Sequence, residues 1–341
     1  MYEIKEILNK EDWEQFLAKQ KFVLMTQSYR YGDFYESMNE KHWLIGVYEE
    51  GQLVAGSLIL TVHARRGNFV FLPYGPVISK DYENILKLFI DFLKEKAKKE
   101  HYDFIRVSPF VDDLLETKNI YQNIGFRKSP IHALAETTWL LDLSKSEEEI
   151  LANMNKNHRN LINRCIREKV KVIFSNDKKA LEEFNVLHDF TAKKHHFTRF
   201  SNSYVEKEFM AFQQDDEVSV IKAYLPDNPN LDSSAVVYFY GNSAAYRHGA
   251  SLVQDKKLPT SYLLQWEAIK EAKNRGLKYY NFWGIAPDNA PANHPFKGIT
   301  HFKKGFGGFQ KDLLPCQDFI ISPKYWITWI IETVRSKKRG F

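Results

Sequence analysis

Apolar and polar positions along this chain fall into two kinds of pattern, extended apolar runs and helical apolar periodicity, and their order occurs twice. In the first pass the pattern predicts strands over 42–48, 53–63 and 69–72, a helix over 82–99 and a strand over 104–107. In the second it predicts strands over 218–225, 234–240 and 244–248, a helix over 260–275 and a strand over 279–282. Turn chemistry supports the breaks, with Glu50-Gly51 in one hairpin, Gly241-Asn242 in the other and Gly276 just past the second long helix. Three strands, a helix and a further strand call for a mixed sheet with helices on its faces. A periodic stretch at 12–19, where Trp13, Phe16 and Leu17 align, starts the first unit, and the second begins near Ser144.

At that second start the pattern predicts one helix over 146–169. Ile150, Leu151, Met154, Leu161, Ile162, Cys165 and Ile166 fall on one side, and Lys156, Arg159, Asn160, Asn163, Arg164 and Arg167 on the other. Ser146 and Glu149 stand at capping-box spacing. Arg and Asn present several donors to one phosphate or carboxylate, so this face is either a polyanion site or a solvated surface.

Composition narrows the classes. The chain has 341 residues, 44% of them hydrophobic and 15% aromatic, enough for two ordinary cores. Cys165 and Cys316 are far apart and in no metal-ligand pattern, so neither a zinc site, a disulfide framework nor a thiol nucleophile is expected. The charged N-terminus is unlike a signal peptide and no apolar run approaches the roughly 20 residues of a membrane span, which leads us to expect a cytoplasmic protein. A net charge of +5 is too mild to establish nucleic-acid binding but is compatible with polyanionic ligands on one face.

The element order is that of an acetyltransferase-like (GNAT-like) α/β fold in two tandem copies. Acyl transfer from coenzyme A is then the first chemistry to weigh. It needs a Gly-rich turn whose amides meet the pyrophosphate at a helix N-terminus. The corresponding stretches, Leu72-Pro-Tyr-Gly-Pro-Val-Ile and Gly249-Ala-Ser-Leu-Val-Gln-Asp, supply no such turn, and no cofactor is expected.

Several segments carry a more specific resemblance. Gln27-Ser-Tyr-Arg-Tyr-Gly-Asp-Phe, Tyr121-Gln-Asn-Ile-Gly-Phe and Lys156-Asn-His-Arg-Asn-Leu-Ile are followed by Tyr262-Leu-Leu-Gln-Trp-Glu-Ala, Tyr280-Asn-Phe-Trp-Gly-Ile and Phe302-Lys-Lys-Gly-Phe-Gly-Gly. In this order the chain resembles the Fem-type (FemABX) aminoacyltransferases, in the compact form without a coiled-coil arm. Members of that family move an amino acid from aminoacyl-tRNA to the stem-peptide amine of a peptidoglycan precursor, either UDP-MurNAc-pentapeptide or lipid II. The resemblance implies two acetyltransferase-like subdomains with a cleft between them, over 1–145 completed by 318–341, and over 146–317. Two other readings fit the same scaffold: a non-catalytic protein that binds tRNA or a glycan precursor, and a transferase acting on a protein N-terminus.

The resemblance also implies roles for residues. Lys303, with Lys304 as the alternative, would sit at the acceptor end of the tRNA and stabilise developing charge, although by residue type alone the pair reads as solvated. Gly305, Gly307 and Gly308 would let a ligand approach the backbone closely. Arg199, followed by Tyr204, would meet the precursor's diphosphate, and Tyr246 would face substrate, although strand packing explains it equally well; Arg247, less typical of the family at its place, is a further substrate-facing candidate. Lys156, Arg159 and Arg167 would contact the tRNA. Tyr35 stands where compact members carry a phosphate-binding lysine, and Ser108 where many members carry Asp, so diphosphate binding would be weaker, rebuilt from Arg30 or Lys41, or directed to another form of the precursor. No metal is implied. The closing stretch 324–339 aligns Trp326, Trp329, Ile330 and Val334 and ends in Arg335, Lys337, Lys338 and Arg339. It would pack on the first unit, and it is also suited to peripheral contact with the inner face of a membrane.

Overall fold

The computed structural model describes residues 1–339 except Arg66, His196, Pro291, Ala292, Asn293 and Pro295, and excluding the side chains of Lys338 and Arg339. It forms two compact units, Met1–Thr138 with Ala286–Pro295 and Lys311–Phe341, and Trp139–Ile285 with Phe296–Gln310.

The first unit opens with β1 (Tyr2–Glu6), α1 (Lys10–Ala18) and α2 (Tyr29–Ser37). There follow β2 (His42–Glu49), β3 (Gln52–Ala64), β4 (Gly67–Pro73), β5 (Val77–Ile78), α3 (Tyr82–Lys99), β6 (Phe104–Ser108), α4 (Leu115–Ile124) and β7 (Arg127–Lys128). The chain passes into the second unit through β8 (Thr137–Asp142), α5 (Glu147–Asn153), α6 (Lys156–Arg167), β9 (Lys171–Ser175), α7 (Lys178–His195) and α8 (Asn202–Gln213). That unit continues with β10 (Val218–Tyr224), β11 (Leu231–Tyr240), β12 (Ser243–Ser251), α9 (Thr260–Asn274), β13 (Tyr279–Gly284) and α10 (Lys297–Lys304). The chain closes with β14 (Phe309–Asp312), β15 (Gln317–Ile320) and α11 (Tyr325–Arg339).

The first sheet runs β1-β2-β3-β4-β6-β15-β7, with β5 pairing on β3, and the second β14-β8-β13-β12-β11-β10-β9. The first sheet is antiparallel apart from the parallel pair β4 with β6; in the second, β9 to β12 pair antiparallel in turn and β12 pairs parallel with β13. Each of these parallel pairs is joined through a long helix, α3 or α9. Those helices form because their apolar residues recur at helical spacing; α3 buries Ile85, Leu86, Phe89, Ile90 and Leu93 and carries Lys96, Lys98 and Lys99 in its last turn, where cations suit the helix dipole. Gln27, from the first motif quoted above, is buried and structural. Its Nε2 donates to Pro73 O at 2.8 Å, and its Oε1 accepts from Leu58 N at 3.0 Å.

The C-terminal segment is tied into the first sheet by charge. Register sets Asp318 of β15 opposite Arg106 of β6. Arg106 is 2% exposed and donates through Nε and Nη2 to Asp318 at 2.8 and 2.9 Å, and through Nη1 and Nη2 to Glu332 of α11 at 3.1 and 2.7 Å. Burial opposes the guanidinium's charge, but Asp318 and Glu332 outweigh it and hold its pKa well above the usual value. Truncating Arg106 would leave two buried carboxylates without a counter-charge.

The single helix expected over 146–169 is two helices. Ser146 and Glu149 do form a capping box at α5. At Met154, however, the backbone becomes extended, and the Asn155 side chain accepts from Asn157 N at 2.9 Å to start α6. An Asn at this place is a stronger helix start than a helix interior residue. Met154 and Cys165 remain in the core, but Ile166, expected on the apolar face, is 50% exposed.

Candidate functional site

In the first unit β4 and β6 stay paired from Phe69↔Phe104 to Pro73↔Ser108. In the second, β12 and β13 pair only through Ser243↔Tyr279, Ala244↔Tyr280 and Ala245↔Asn281, although β12 runs on to Ser251 and β13 to Gly284. Beyond Ala245 and Asn281 the two strands part, and polar side chains occupy the opening.

Lys303 is one of them. It lies near the end of α10, 7% exposed, and its Nζ donates to Gly284 O of β13 at 2.7 Å while standing 5.8 Å from the Tyr246 ring centroid of β12. Among the described residues no carboxylate forms an ion pair with this amine. Burial lowers its pKa from 10.5 to about 7. An amine of this kind exchanges a proton near neutral pH, which a solvated lysine cannot do to a useful extent. Burial also pushes the Tyr246 hydroxyl up to about 12, so it stays a neutral donor.

The glycines after Lys303 serve the protein's own packing. A Cβ on Gly305 would stand 1.9 Å from Cε1 of His158, and one on Gly308, whose φ is +101°, would stand 2.2 Å from Leu140 O. The expected room for a ligand at these two positions is taken by a ring and a carbonyl. His158 Nε2 lies 2.9 Å from Phe302 O and so fixes the turn of helix that carries Lys303.

Behind the opening is a buried carboxylate that the sequence did not reveal. Glu208 of α8 is fully buried; its Oε1 accepts from Arg247 Nε at 3.1 Å, and its Oε2 accepts from His248 Nε2 at 3.0 Å and Tyr238 OH at 3.3 Å. A bulge in β12 opposite Val236 and Val237 lets the consecutive residues Arg247 and His248 reach the same carboxylate. Burial opposes ionisation of Glu208, but Arg247 and His248 outweigh it and hold the carboxyl below its usual range. Burial, with His248 and Arg199, lowers His188 to about 3, and its Nδ1 has no hydrogen-bond partner. Arg247 also lies over the Trp283 ring at 4.9 Å. Trp283 itself adopts a left-handed backbone, φ +66°, with its N–H held by Asn281 Oδ1 at 2.8 Å. Strain of this kind, about 1–3 kcal/mol, persists where surrounding contacts enforce it. Here it immediately precedes Gly284, whose carbonyl holds Lys303.

The other expected residues are placed as follows. Lys304 bonds Gln310 Oε1 at 3.0 Å and lies over Trp139 at 5.2 Å. Arg199 is engaged locally, by Asp189 Oδ1 at 2.6 Å, Phe200 O at 3.1 Å and Asn202. Tyr204 stacks on Phe200 at 4.3 Å, and Phe200 lies 5.5 Å from the Arg247 guanidinium, so Arg199, Tyr204 and Arg247 belong to one neighbourhood. Arg30 and Tyr35 are on α2 of the first unit, Arg30 over the Tyr29 ring at 5.0 Å and Tyr35 edge-on to Phe34 at 5.2 Å. On α6, Lys156 is exposed and Arg167 is exposed beside Glu168 at 3.3 Å. Arg159 instead turns back to cap α5, donating to Ala152 O at 2.8 Å and to Met154 O. No group of three or more His, Cys, Asp or Glu suited to a metal occurs among the described residues.

Residues 8–136 and 215–332 match the model of the FemAB family. The chain belongs to that family. Two relatives illustrate the range: a lipid II:glycine glycyltransferase of Staphylococcus epidermidis is 20% identical over 349 residues, 82% of this chain and 83% of its own length. The aminoacyltransferase FemA of Staphylococcus aureus is 37% identical over 71 residues, 21% of this chain and 14% of its own. The crystal structure of FemX superposes with a TM-score of 0.85 at 16% identity, covering 97% of this chain and all of that one. A tandem GNAT protein of the clavulanic acid pathway gives 0.56 at 12% identity, covering 95% and 99%. The fold of this FemAB protein is therefore two tandem GNAT-like subdomains, as the repeated element order implies.

The buried amine has a consequence for stability. With a folded pKa near 7 and an unfolded value near 10.5, the unfolded chain holds this proton longer, so stability should rise as pH rises between those values. Replacing Lys303 by Met is expected to stabilise the protein by ~3–5 kcal/mol at pH 6 and by little above pH 10.5. Urea unfolding of both proteins across that range checks it; a difference independent of pH would mean that the amine is not buried as described.

Proposed function

We propose that this chain transfers an amino acid from aminoacyl-tRNA to the stem-peptide amine of a peptidoglycan precursor, building an interpeptide bridge. The observation that carries the reading is the buried Lys303 amine, bonded to Gly284 O where β12 and β13 part, in a chain of the FemAB family. The names of its relatives, glycine transfer to lipid II and aminoacyl transfer, support the reaction class.

In this reaction the acceptor amine attacks the ester carbonyl of the aminoacyl-tRNA. The new C–N bond forms, the C–O bond to the ribose breaks, and the amine's proton ends on the departing ribose oxygen. The ester is already activated, so the protein has to orient the partners, move one proton and stabilise the oxyanion. Neutral Lys303 can take the proton from the attacking nitrogen, and the ammonium so formed is the charge that the oxyanion needs and the acid that the ribose oxygen needs. Tyr246 would donate to the carbonyl oxygen. Arg247, held by Glu208, would fix one wall of the opening, while Arg199 and Tyr204 would position Phe200 beside it; Arg30 and Tyr35 would bind the precursor and Lys304 the acceptor end of the tRNA. Lys156 and Arg167, exposed on α6, would contact tRNA phosphates, and Arg159 would act there through the helix it caps.

Incubation with a bulk pool of charged, radiolabelled tRNA and either UDP-MurNAc-pentapeptide or lipid II should yield a product heavier by one or more amino acid residues, read by mass. Lys303→Met should lower kcat about a hundredfold or more with the precursor's Kd nearly unchanged. Lys303→Arg, which cannot give up its proton, should be nearly as impaired, and the wild-type rate should rise with pH through about 7. No product from either precursor, while both still bind, would favour a binding protein on this scaffold.

A second measurement addresses the tRNA face. Lys156→Ala and Arg167→Ala should each reduce the salt slope of tRNA affinity by about 0.7–0.9. Unchanged slopes would mean that the face is only solvated.

A further inference from the structure

Helix α11 is packed with its polar side inward. The side chains it buries are Tyr325, Thr328 and Glu332, and Tyr325 OH donates to Asp318 at 3.2 Å within the Arg106 cluster. The opposite side is apolar and open: Trp326 is 42% exposed, Ile327 57%, Ile330 56% and Val334 49%. Positions 326, 330 and 334 follow one another at four-residue spacing with 327 beside them, so they form one stripe. A helix that only completes the fold would turn this stripe toward the core. The buried ion cluster prevents that, because rotating α11 would withdraw Glu332 from Arg106. The helix thus packs on the first unit through Tyr325, Thr328 and Glu332 rather than through its apolar stripe, and Trp329 is half-buried.

Cations border the stripe. Lys324, Arg335 and Lys337 are exposed on or next to the helix. The edge strand β7 adds Lys128, also exposed, and Arg127, whose guanidinium lies 4.6 Å from the Trp326 ring and 5.6 Å from that of Trp329. The single acidic residue between 324 and 337 is Glu332, which is buried and paired. An apolar stripe with tryptophan and a cationic border fits the boundary between acyl chains and anionic headgroups. A second copy of this chain fits poorly, since a two-fold contact would set the same cations against each other. No helix among the described residues is long and apolar enough to cross a membrane, so the contact would be peripheral. We infer that α11 docks this protein on an anionic lipid bilayer through Trp326, Ile327, Ile330 and Val334, with Lys324, Lys128, Arg335 and Lys337 facing the headgroups. The inference rests on the helix and its surroundings and does not depend on the reaction proposed above.

Flotation of the full chain with vesicles tests it. Vesicles containing phosphatidylglycerol should carry the protein and pure phosphatidylcholine should not, with binding falling as salt is raised. Ile327→Glu/Ile330→Glu and Arg335→Glu/Lys337→Glu should each reduce the bound fraction about tenfold or more, with thermal unfolding unchanged because all four side chains are exposed. Lipids brominated in the acyl chains should quench tryptophan emission in the wild type, and less so in Trp326→Phe. Failure to bind anionic vesicles at low salt, or undiminished binding by the Ile327→Glu/Ile330→Glu protein, would overturn the inference. Concentration-dependent dimerisation that this double substitution abolishes would assign the stripe to a second copy instead.

Discussion

The site depends on a failure of strand pairing. Parallel strands β12 and β13 share three residue pairs and then part, whereas β4 and β6 of the first unit keep five. Backbone groups released from a ladder must find other partners, and the second unit provides them individually. The carbonyl of Gly284 takes the Lys303 ammonium, the amide of Trp283 takes the Asn281 side chain, and a bulge at Arg247 accommodates the extra length of β12. A lysine held in this position is withdrawn from water, and burial lowers its pKa toward neutrality.

Two buried charge clusters then hold this arrangement and its surroundings, one in each unit. Glu208 gathers Arg247, His248 and Tyr238 in the second; Arg106 gathers Asp318 and Glu332 in the first. Neither is an efficient source of stability, since apolar residues of similar volume could do as well. What such clusters supply here is orientation. Glu208 fixes the guanidinium that stacks on Trp283, and Arg106 fixes which face of α11 looks outward.

Much of the fold was legible in the sequence because its longest elements are strongly periodic. The helices expected over 82–99 and 260–275 are α3, Tyr82–Lys99, and α9, Thr260–Asn274. Helices α7 and α8 were missed because polar residues occupy their buried stripes: Asn185, His188 and Thr191 in α7, with Val186 and Phe190 exposed, and Glu208 in α8. A signal was nevertheless present. Glu208 stands with Val205, Phe209 and Phe212 at helical spacing, which marks a carboxylate on an apolar stripe and hence one that needs buried cations. The division of 146–169 into two helices turned on one residue, Asn155, whose capping preference outweighs the continuity of the apolar pattern. Lys303 and Lys304 are adjacent and chemically alike, and only the three-dimensional structure separates a buried amine from a half-buried one bonded to Gln310. Their different surroundings come from contacts distant in sequence, which no local pattern records.

The most direct measurement is the titration of the Lys303 amine itself. In protein labelled with 13C at lysine Cε, the Lys303 resonance is assigned by its loss in Lys303→Met and followed from pH 5 to pH 11. A midpoint near 7 is expected from its burial between the parted strands. A midpoint at or above the ordinary 10.5 would show a solvated lysine and would contradict the site described here.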